Sequence, residues 1–359
     1  MFNPKEPYNN LPKLPPNINF RDPDILDLVV KARTQLAELK GYSFSLPNPT
    51  LLLSPAIIKE SIASSQVENI HTTMIQALEN QIYNEEERRA PDKEVLRYRD
   101  AVLWGFNNLK DLNLSTRLIL GVQDILLPNR DSGYRHQQNA LENKETEEII
   151  YIPPTQIKIS ECMQSLENFL NSNPQDMDPL IACIIGHYQF EAIHPFSDGN
   201  GRTGRILMVL QLVKLDILNL PVLYISKYIN NNKSEYYRHL LEVTTEGKWV
   251  DYIKFMLKGF TIQASDTKDL IVKIMSLFWQ TKDEIKNNNR GIYSADLIEA
   301  IFSFPVISPV KLAGFLKCHY TTATRYLDAL KKINIMSDKK VGKYHLYINN
   351  KLLDLLHNS

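Results

Sequence analysis

Residues 194–205 concentrate the side chains of this chain that are best suited to chemistry. The segment reads His-Pro-Phe-Ser-Asp-Gly-Asn-Gly-Arg-Thr-Gly-Arg, with one imidazole, one carboxylate, three glycines, an amide and two guanidinium groups. Gly199, Asn200 and Gly201 adopt positive φ at little cost, so successive backbone N–H groups are expected to turn inward at a helix N-terminus. This pattern predicts a site for a polyphosphate.

The charged side chains fit the same interpretation. Arg202 and Arg205 are three residues apart, so on a helix both guanidinium groups lie over one turn and bind phosphate oxygens together. Asp198 offers a hard oxygen ligand, and Mg²⁺ on nucleotide phosphates needs only one or two protein carboxylates. His194, with a reference pKa of about 6.5, is suited to act as a general base near neutral pH.

The sequence of this segment is compatible with three other interpretations. Gly199, Gly201 and Gly204 formally satisfy G-x-G-x-x-G, but a dinucleotide fingerprint follows a strand, and residues 179–193 are predicted to be a buried helix. A metal pair of His194 and Asp198 has no further His or Cys nearby to complete it. A glycine-rich turn with solvated arginines is the plain structural alternative.

The segment resembles the signature of the Fic-domain family, H-x-F-x-[D/E]-G-N-G-R-x-x-R. The residues that match its fixed positions are His194, Phe196, Asp198, Gly199, Asn200, Gly201, Arg202 and Arg205. The resemblance implies transfer of AMP from ATP to a protein hydroxyl, with His194 as base and Asp198 as Mg²⁺ ligand. It also implies that the loop, including Thr203 and Gly204, holds the phosphates.

An upstream segment resembles a second element of the same family. A helix is predicted to begin at Ser54-Pro55, since Ser caps well and Pro suits the first helical turn. On it, Ser64, Glu68 and Asn69 form Ser-x-x-x-Glu-Asn, which is similar to the inhibitory motif [S/T]-x-x-x-E-[G/N]. The resemblance implies that Glu68 pairs with Arg205 and so restrains the nucleotide. A solvated glutamate on an exposed helix face would give the same letters.

The helix predicted at 179–193 is apolar almost all round, so we expect it to form the core that fixes the 194–205 loop. His187 on it is expected to be a hydrogen-bonded core histidine. Residues 128–154 are predicted to form a hairpin around turn-forming Asn143, which looks like the Fic flap that binds a target protein as an added strand. A plain surface hairpin is the alternative.

Two later segments also carry expectations. Residues 223–237 resemble the family segment that closes over the adenine and ribose, where Asn231 or Asn232 would contact the nucleotide; a helix N-cap is the alternative. Polar residues 287–291 are predicted to form a hinge. Beyond it, Ser308-Pro309 is expected to cap a short helix, Thr321 to open a second helix, and residues 333–336 and 344–348 to form strands. The order of these elements from residue 291 predicts a winged helix-turn-helix. Nine basic and five acidic residues give residues 291–359 a net charge of 9 − 5 = +4.

This local charge favours a nucleic-acid face. The recognition helix would begin with Thr321, Thr322, Thr324 and Arg325. Lys339, Lys340 and Lys343 would lie on a wing near DNA phosphates. Use of the module for dimerisation or protein docking is the alternative.

Composition bounds the remaining possibilities. The 359 residues are 43% apolar, and 41 basic residues balance 41 acidic ones, so no global charge indicates a nucleic-acid or membrane partner. Three scattered cysteines and the lack of a signal core or a long apolar run favour a cytoplasmic protein with no membrane association.

Together these features predict a mainly α fold: a Fic-type helical core with a small hairpin, and a C-terminal winged helix-turn-helix domain. The expected divisions are 1–110 (arm and inhibitory helices), 111–265 (catalytic core), 266–290 (helical linker) and 291–359. The predicted function is autoinhibited protein adenylylation of a target or of the chain itself, with a homodimer left open. A nucleotide-sensing DNA-binding regulator, or a Fic-type enzyme that uses another nucleotide or removes AMP, stays as the alternative.

Overall fold

A computed structural model of the chain describes residues 2–44, 46, 48–128, 133–142, 147–172 and 177–358. These residues form a mainly helical structure with two small antiparallel sheets. They divide into two compact units, one of 1–37 and 100–264 and the other of 38–99 and 265–359, and the divisions fall within three long helices. The predicted turn at Asn143 lies outside the described residues.

The helices and strands are as follows, in chain order. The first part contains α1 Pro23–Ser43, α2 Pro49–Val67, α3 Met74–Asn80, α4 Ala90–Leu112, α5 Thr116–Leu126, β1 Leu141–Glu142, β2 Ile149–Tyr151, α6 Gln156–Asn171, α7 Pro179–Ile193, α8 Asn200–Lys214, α9 Ile225–Asn231, α10 Lys233–Glu246 and α11 Trp249–Asn288. The last part contains α12 Ala295–Ser303, β3 Val306–Ile307, α13 Pro309–Leu316, α14 Tyr320–Lys332, β4 Ser337–Val341, β5 Tyr344–Ile348 and α15 Asn350–His357.

Helix α7 is the centre of the first unit, as its composition predicts. It begins where the Asp178 side chain accepts from the Leu180 N–H at 2.8 Å and where Pro179 suits the first helical turn. Thirteen of its fifteen residues are buried, and α6 and α8 pack against it, while α5 packs against α8. The loop between α7 and α8 is therefore held by the buried core of this unit.

The hairpin of β1 and β2 belongs to the same unit. Leu141 pairs with Tyr151 and Glu142 with Ile149, and these are the strand residues of the first arm within the described part of the chain. The Tyr151 hydroxyl donates to the Ala192 carbonyl on α7 at 2.7 Å. The proline-rich N-terminal arm lies along the second arm, because the Tyr8 N–H donates to the Ile152 carbonyl at 2.9 Å.

The second unit is built around α2. The predicted helix start at Ser54-Pro55 is wrong, since α2 begins at Pro49, which takes the favourable first position and leaves Pro55 inside the helix. Helices α12, α15 and α3 pack against α2. The chain end that follows α11 and the helix carrying Ser64 thus share one core.

Residues 295–357 form the remainder of the second unit. Ser308 caps α13 as predicted by accepting from the Lys311 N–H at 3.2 Å, and β3, β5 and β4 form a sheet in that order. The strand predicted at 333–336 is wrong, because α14 continues to Lys332 and the strand begins at Ser337. Residues 333–336 form a turn instead, and its apolar side chains Ile335 and Met336 are buried, each under 5% exposed.

Three further observations bear on the expectations. Cys162, Cys183 and Cys318 are free thiols, and Cys183 is fully buried. The 40-residue helix α11 ends at Asn288, within the segment 287–291 that is predicted as a hinge. Among the helices that the structure describes, none combines the length and the apolarity needed to cross a bilayer.

Candidate active site

His194 lies at the C-terminal end of α7 in a left-handed conformation, with φ of 49° and ψ of 59°. Its N–H donates to the Phe190 carbonyl at 3.1 Å, and its ring Nδ1 lies 3.4 Å from the Glu191 carbonyl oxygen. A non-glycine residue in this region costs of order 1 kcal/mol and persists only where its surroundings enforce it. The half-buried imidazole therefore leaves the helix in a direction fixed by the backbone.

Asn200 closes the loop that follows His194. Its amide oxygen accepts from the Phe196 N–H and its amide nitrogen donates to the Phe196 carbonyl, both at 2.8 Å. Asn200 is 2% exposed, so these two bonds form in a protected environment. Its side chain shapes the loop, and only its backbone faces the helix N-terminus.

Of the three residues expected to adopt positive φ, only Gly199 does, at 77°. Asn200 and Gly201 are instead the first two residues of α8, so the expectation of consecutive positive φ values is wrong for them. A side chain at Gly199 would also meet Leu127 Cδ1 at 2.9 Å. The predicted helix N-terminus is nevertheless present, and it carries the orphan N–H groups that suit an anion.

Arg202 and Arg205 project from the first two turns of α8, and they are 2% and 1% exposed. The Arg202 Nη2 lies 3.5 Å from Asp198 Oδ1, and the same oxygen accepts from the Gly199 N–H at 2.6 Å. Coulombic interactions strengthen as the local dielectric falls, so two buried guanidinium groups beside a helix N-terminus favour polyanionic ligands. Asp198, 38% exposed at its side chain, is the carboxylate on this loop.

Gln123 on α5 is a loop-supporting residue that sequence reasoning missed. Its amide nitrogen donates to the Asp198 carbonyl at 2.8 Å, and its amide oxygen accepts from the Thr203 hydroxyl at 2.7 Å. It thereby links the Asp198 backbone to the first turn of α8. The sequence offered no signal, since a glutamine on an amphipathic helix is ordinary; only the fold brings it to the loop.

A buried cluster of polar side chains, His187, Glu191 and Tyr236, lies close to Arg205. As predicted, His187 is a hydrogen-bonded core histidine: its Nε2 lies 2.8 Å from the Tyr236 hydroxyl of α10. Burial first, and the Arg205 charge second, lower the pKa of His187 to about 3. Burial likewise raises the pKa of Tyr236, with Glu191 contributing in the same direction. Both rings are therefore neutral near pH 7, and the charges here are those of Arg205 and Glu191.

Gly204 packs against this cluster. A Cβ at Gly204 would lie 2.3 Å from Glu191 Oε1 and 3.0 Å from Phe190 Cδ1. A side chain at Gly204 would therefore require the Glu191 carboxylate to move and the Phe190 ring to give way slightly.

The residues of the proposed inhibitory motif lie at the end of α2, in the second unit. Ser64 is fully buried, whereas Glu68 is half-buried and Asn69 is exposed. Asn69 adopts φ of 62°, and the Ile70 N–H donates to the Ser65 carbonyl at 3.0 Å. These are features of a Schellman motif, so Asn69 has a structural role in ending the helix.

Asn231 and Asn232 lie where α9 ends and α10 begins. Asn231 is exposed, and the half-buried Asn232 donates its amide to the Tyr228 carbonyl at 2.9 Å. Asn232 precedes α10, but its side chain makes no capping bond there, so the N-cap alternative does not account for it.

The first arm of the hairpin holds the loop after α7, which the sequence did not reveal. The backbone N–H of Arg135 donates to the Pro195 carbonyl at 2.9 Å, and its Nε donates to the His194 carbonyl at 3.0 Å. The Asn139 amide donates to the Phe196 carbonyl at 3.1 Å. Three consecutive carbonyls of the loop are thus held from the hairpin.

Two of the lysines expected on DNA phosphates have protein partners. Lys339 Nζ lies 2.9 Å from Glu79 Oε1, and Lys343 Nζ lies 2.6 Å from Glu87 Oε1. In the state described, these two lysines pair with carboxylates of the second unit, so their contact with DNA phosphates stays a prediction. Lys340 is exposed, as are Thr321 and Arg325, while Thr322 and Thr324 are half-buried.

Comparison with known proteins agrees with this architecture. Residues 26–107 match the model "Fic/DOC family N-terminal", and residues 113–212 match "Fic/DOC family". Residues 277–352 match "Protein adenylyltransferase SoFic-like, C-terminal domain". The chain therefore belongs to the Fic/DOC family.

Relatives of known name and structure extend the comparison. A Drosophila grimshawi protein named "Protein adenylyltransferase Fic" is 30% identical over 209 residues, which are 55% of this chain and 42% of that protein. The Drosophila sechellia protein of the same name is 33% identical over 139 residues, 37% of this chain and 27% of its own length. The chain thus spans less than half the length of these curated relatives.

Solved structures share the fold. A Fic family protein from Desulfovibrio desulfuricans matches with a TM-score of 0.58 at 20% identity, covering 91% of this chain and 96% of that one. Fic-1 from C. elegans matches with a TM-score of 0.50 at 19% identity, covering 71% and 75%.

Proposed function

We propose that this chain is a protein adenylyltransferase that transfers AMP from ATP to a Ser, Thr or Tyr hydroxyl of a target protein or of itself. The observation that carries the proposal is the α7–α8 junction, where His194 ends one helix and the left-handed Gly199 leads into the N-terminus of the next, which carries Arg202 and Arg205. Relatives named protein adenylyltransferase support it.

In the proposed reaction, His194 takes the proton of the target hydroxyl. The hydroxyl oxygen then forms a bond to the α-phosphorus, while the bond from that phosphorus to the bridging oxygen breaks and pyrophosphate leaves. The backbone of Gly199–Gly201 and the side chains of Arg202 and Arg205 hold the phosphates, with Thr203 and Gly204 shaping the turn. The protein mainly positions the reactants and neutralises charge.

Mg²⁺ fits the donor set of the loop. Asp198 provides a half-exposed carboxylate beside the phosphate-binding turn, and nucleotide-bound Mg²⁺ needs few protein ligands. Among the described residues, no group of three or more His, Cys, Asp or Glu side chains is arranged to hold a metal ion. When bound there, Mg²⁺ would neutralise charge on the phosphates. Chelation by EDTA should then abolish AMP incorporation, and added Mg²⁺ should restore it.

The nucleoside end of ATP is assigned to the α9–α10 segment. We propose that Asn231 or Asn232 contacts it, and Tyr236 of the same segment lies against α7 through His187, which supports a position near the site. Asn231→Ala and Asn232→Ala should separate the two residues by their effect on the KM for ATP.

Autoinhibition through Ser64, Glu68 and Asn69 is part of the proposal. Glu68 would pair with Arg205 and so admit ATP only in a pose whose α-phosphorus faces away from the hydroxyl. Asn69 would act indirectly, by ending α2 so that Glu68 has a fixed place.

The hairpin is the proposed binding surface for the target. Its strands present backbone groups to which an extended target segment adds as a further strand, which leaves side-chain choice open. A homodimer, in which one copy modifies the other, is compatible with self-modification.

The C-terminal region supports a second candidate function. Helices α13 and α14 followed by the β4–β5 pair have the order of a winged helix-turn-helix, so we propose this fold for residues 291–359. A nucleotide-sensing DNA-binding regulator would use the exposed Thr321 and Arg325 on α14. The free cysteines support a cytoplasmic setting for either function.

Incubation of the chain with lysate and labelled ATP, followed by mass spectrometry, tests the proposal. A mass increment of AMP on a hydroxyl, absent with His194→Ala, is the expected result. Incorporation from another nucleotide, or loss of AMP from a modified substrate, would favour the related Fic-type activities. Specific binding to duplex DNA without any incorporation would favour the regulator.

A further inference from the structure

Arg135 is a buried guanidinium outside the signature, and the geometry of the α7–α8 loop depends on it. It is 4% exposed, in the Gly133-Tyr134-Arg135 segment that opens the hairpin. Its Nε donates to the His194 carbonyl at 3.0 Å and its Nη1 to the Gln137 carbonyl at 3.1 Å. Its Nη2 donates to the Pro154 carbonyl. These acceptors come from the end of α7, from the first arm and from the segment after the second arm.

The bond to the His194 carbonyl acts on the residue proposed as the base. The last carbonyls of a helix have no partner within the helix, and a cation there is favourable. Rotation about ψ of His194 would carry its carbonyl away from Arg135 Nε and would change the direction of the following loop relative to the imidazole. Because the left-handed conformation of His194 is intrinsically unfavourable, a bond that holds its peptide plane matters more than an ordinary surface bond.

The acceptors of Arg135 also explain why a guanidinium is needed. Its planar fork carries five N–H donors in fixed directions, so one side chain bonds carbonyls in different segments at once. Burial lowers the pKa of Arg135 while the Tyr151 hydroxyl acts in the opposite direction, and an arginine stays protonated under such conditions where a lysine loses its proton more readily. Lysine would reach fewer of these carbonyls.

We propose that Arg135 is a positioning residue, which orients His194 through its backbone and fixes that orientation relative to the hairpin. The inference rests on the proposed function and deepens it. A target strand added to the hairpin then meets the imidazole at a set place, because Arg135 bonds both structures. Arg135 does not touch the nucleotide in this scheme, so its loss changes the rate of transfer and leaves ATP binding intact.

The test compares Arg135→Lys and Arg135→Ala with a Glu68→Gly parent, in which the proposed inhibition cannot hide transfer. The control is Gln138→Ala, which removes a 2.8 Å bond from the same hairpin arm to the Pro153 carbonyl but none to residues 194–196. AMP incorporation gives kcat and the KM for ATP, thermal unfolding reports the fold, and hydrogen exchange reports residues 133–142 and 194–197.

A displacement of about 1 Å costs on the order of 10²-fold in rate, so Arg135→Lys should lower kcat by about that factor. Its KM for ATP should stay within about twofold, since the phosphate contacts lie elsewhere, and exchange at 194–197 should accelerate. Gln138→Ala should remain within about twofold of the parent in both parameters, because it removes only a neutral hydrogen bond.

Other outcomes would overturn the inference. A folded Arg135→Lys with unchanged kcat removes the positioning role, and loss of the fold in both Arg135 variants makes the residue a structural one. If the parent shows no incorporation, the proposed function fails by itself. The positioning inference is then decided by hydrogen exchange, where unchanged protection of residues 194–197 in Arg135→Lys would contradict it.

Discussion

Lys343 of the β4–β5 turn region forms a 2.6 Å ion pair with Glu87, which precedes α4 in the same unit. The Tyr344 hydroxyl donates to the other oxygen of that carboxylate, also at 2.6 Å. Hydrogen bonds from Lys343 and then Tyr344 lower the pKa of Glu87. A phosphate backbone would have to compete with this carboxylate for Lys343, and with Glu79 for Lys339.

Replacing Glu79 and Glu87 by neutral residues should therefore make Lys339 and Lys343 available to DNA phosphates. We expect Glu79→Gln with Glu87→Gln to bind duplex DNA more tightly than the parent at low salt. The log–log salt slope should steepen by about one for each lysine that gains a phosphate contact. Filter binding across a salt series measures both. Further replacement of Lys339, Lys340 and Lys343 by Ala should cancel the gain, and an unchanged slope in the glutamine variant would leave the wing as a protein-docking surface.

Replacing Glu68 tests the proposed control of the site. Because a misaligned substrate costs on the order of 10²-fold in rate, Glu68→Gly should raise AMP incorporation at least tenfold. Ser64→Ala should activate less, since it removes a neutral hydrogen bond worth about 1 kcal/mol. The measurement is labelled AMP incorporation at equal protein and Mg²⁺. Equal activity of the parent and Glu68→Gly would mean that Glu68 only caps α2 and does not restrain the nucleotide.

His194→Ala should separate chemistry from binding. Loss of a general base lowers the rate by about 10²- to 10⁴-fold, while the guanidinium groups and the helix N-terminus still hold ATP. Calorimetry should thus give a similar Kd for ATP in both proteins, and the double variant Glu68→Gly with His194→Ala should be silent. Full incorporation by His194→Ala would remove the imidazole from the mechanism.

His187 predicts a pH dependence of stability. Its pKa is about 3 in the folded chain and near the reference value of about 6.5 when unfolded, so between these values the unfolded state binds more protons. The free energy of unfolding should therefore fall as pH drops below about 6.5, by up to about 1.4 kcal/mol per pH unit. His187→Gln lacks this titration and should show a shallower slope in denaturant melts at pH 7, 6 and 5. Parallel slopes would mean that His187 titrates normally.

The sequence predicted elements well where periodicity and caps agree. Asp178-Pro179 and the apolar run after it defined α7 to its end, and Ser308-Pro309 defined the start of α13. It failed where tertiary packing decides, as at 333–336, where apolar side chains fill a buried turn, and at α12 and α15, which were not anticipated. Amphipathic patterns this short do not distinguish a helix from a loop with buried anchors.

In the site, too, residues with a local sequence signal could be predicted and residues positioned by the fold could not. Side chains within residues 194–205 could be assigned because their chemistry is written in one continuous segment. Gln123 and Arg135 could not, since their importance for this loop comes from the His194 and Asp198 carbonyls and the Thr203 hydroxyl, which lie 59 to 80 positions away. Backbone acceptors leave no trace in the identity of the residue that bears them.

Two of the four variable positions of the signature, 203 and 204, also have a consequence for engineering and divergence. Thr203 donates to Gln123, and a Cβ at Gly204 would lie 2.3 Å from Glu191 Oε1, so both positions are coupled to residues outside the signature. A side chain at 204 would require the Glu191 carboxylate to move, and loss of the 203 hydroxyl would strand a buried amide at 123. We expect homologues to change these positions in pairs. A graft of these twelve residues onto another scaffold should therefore keep this geometry better when positions 123 and 191 are transplanted with them.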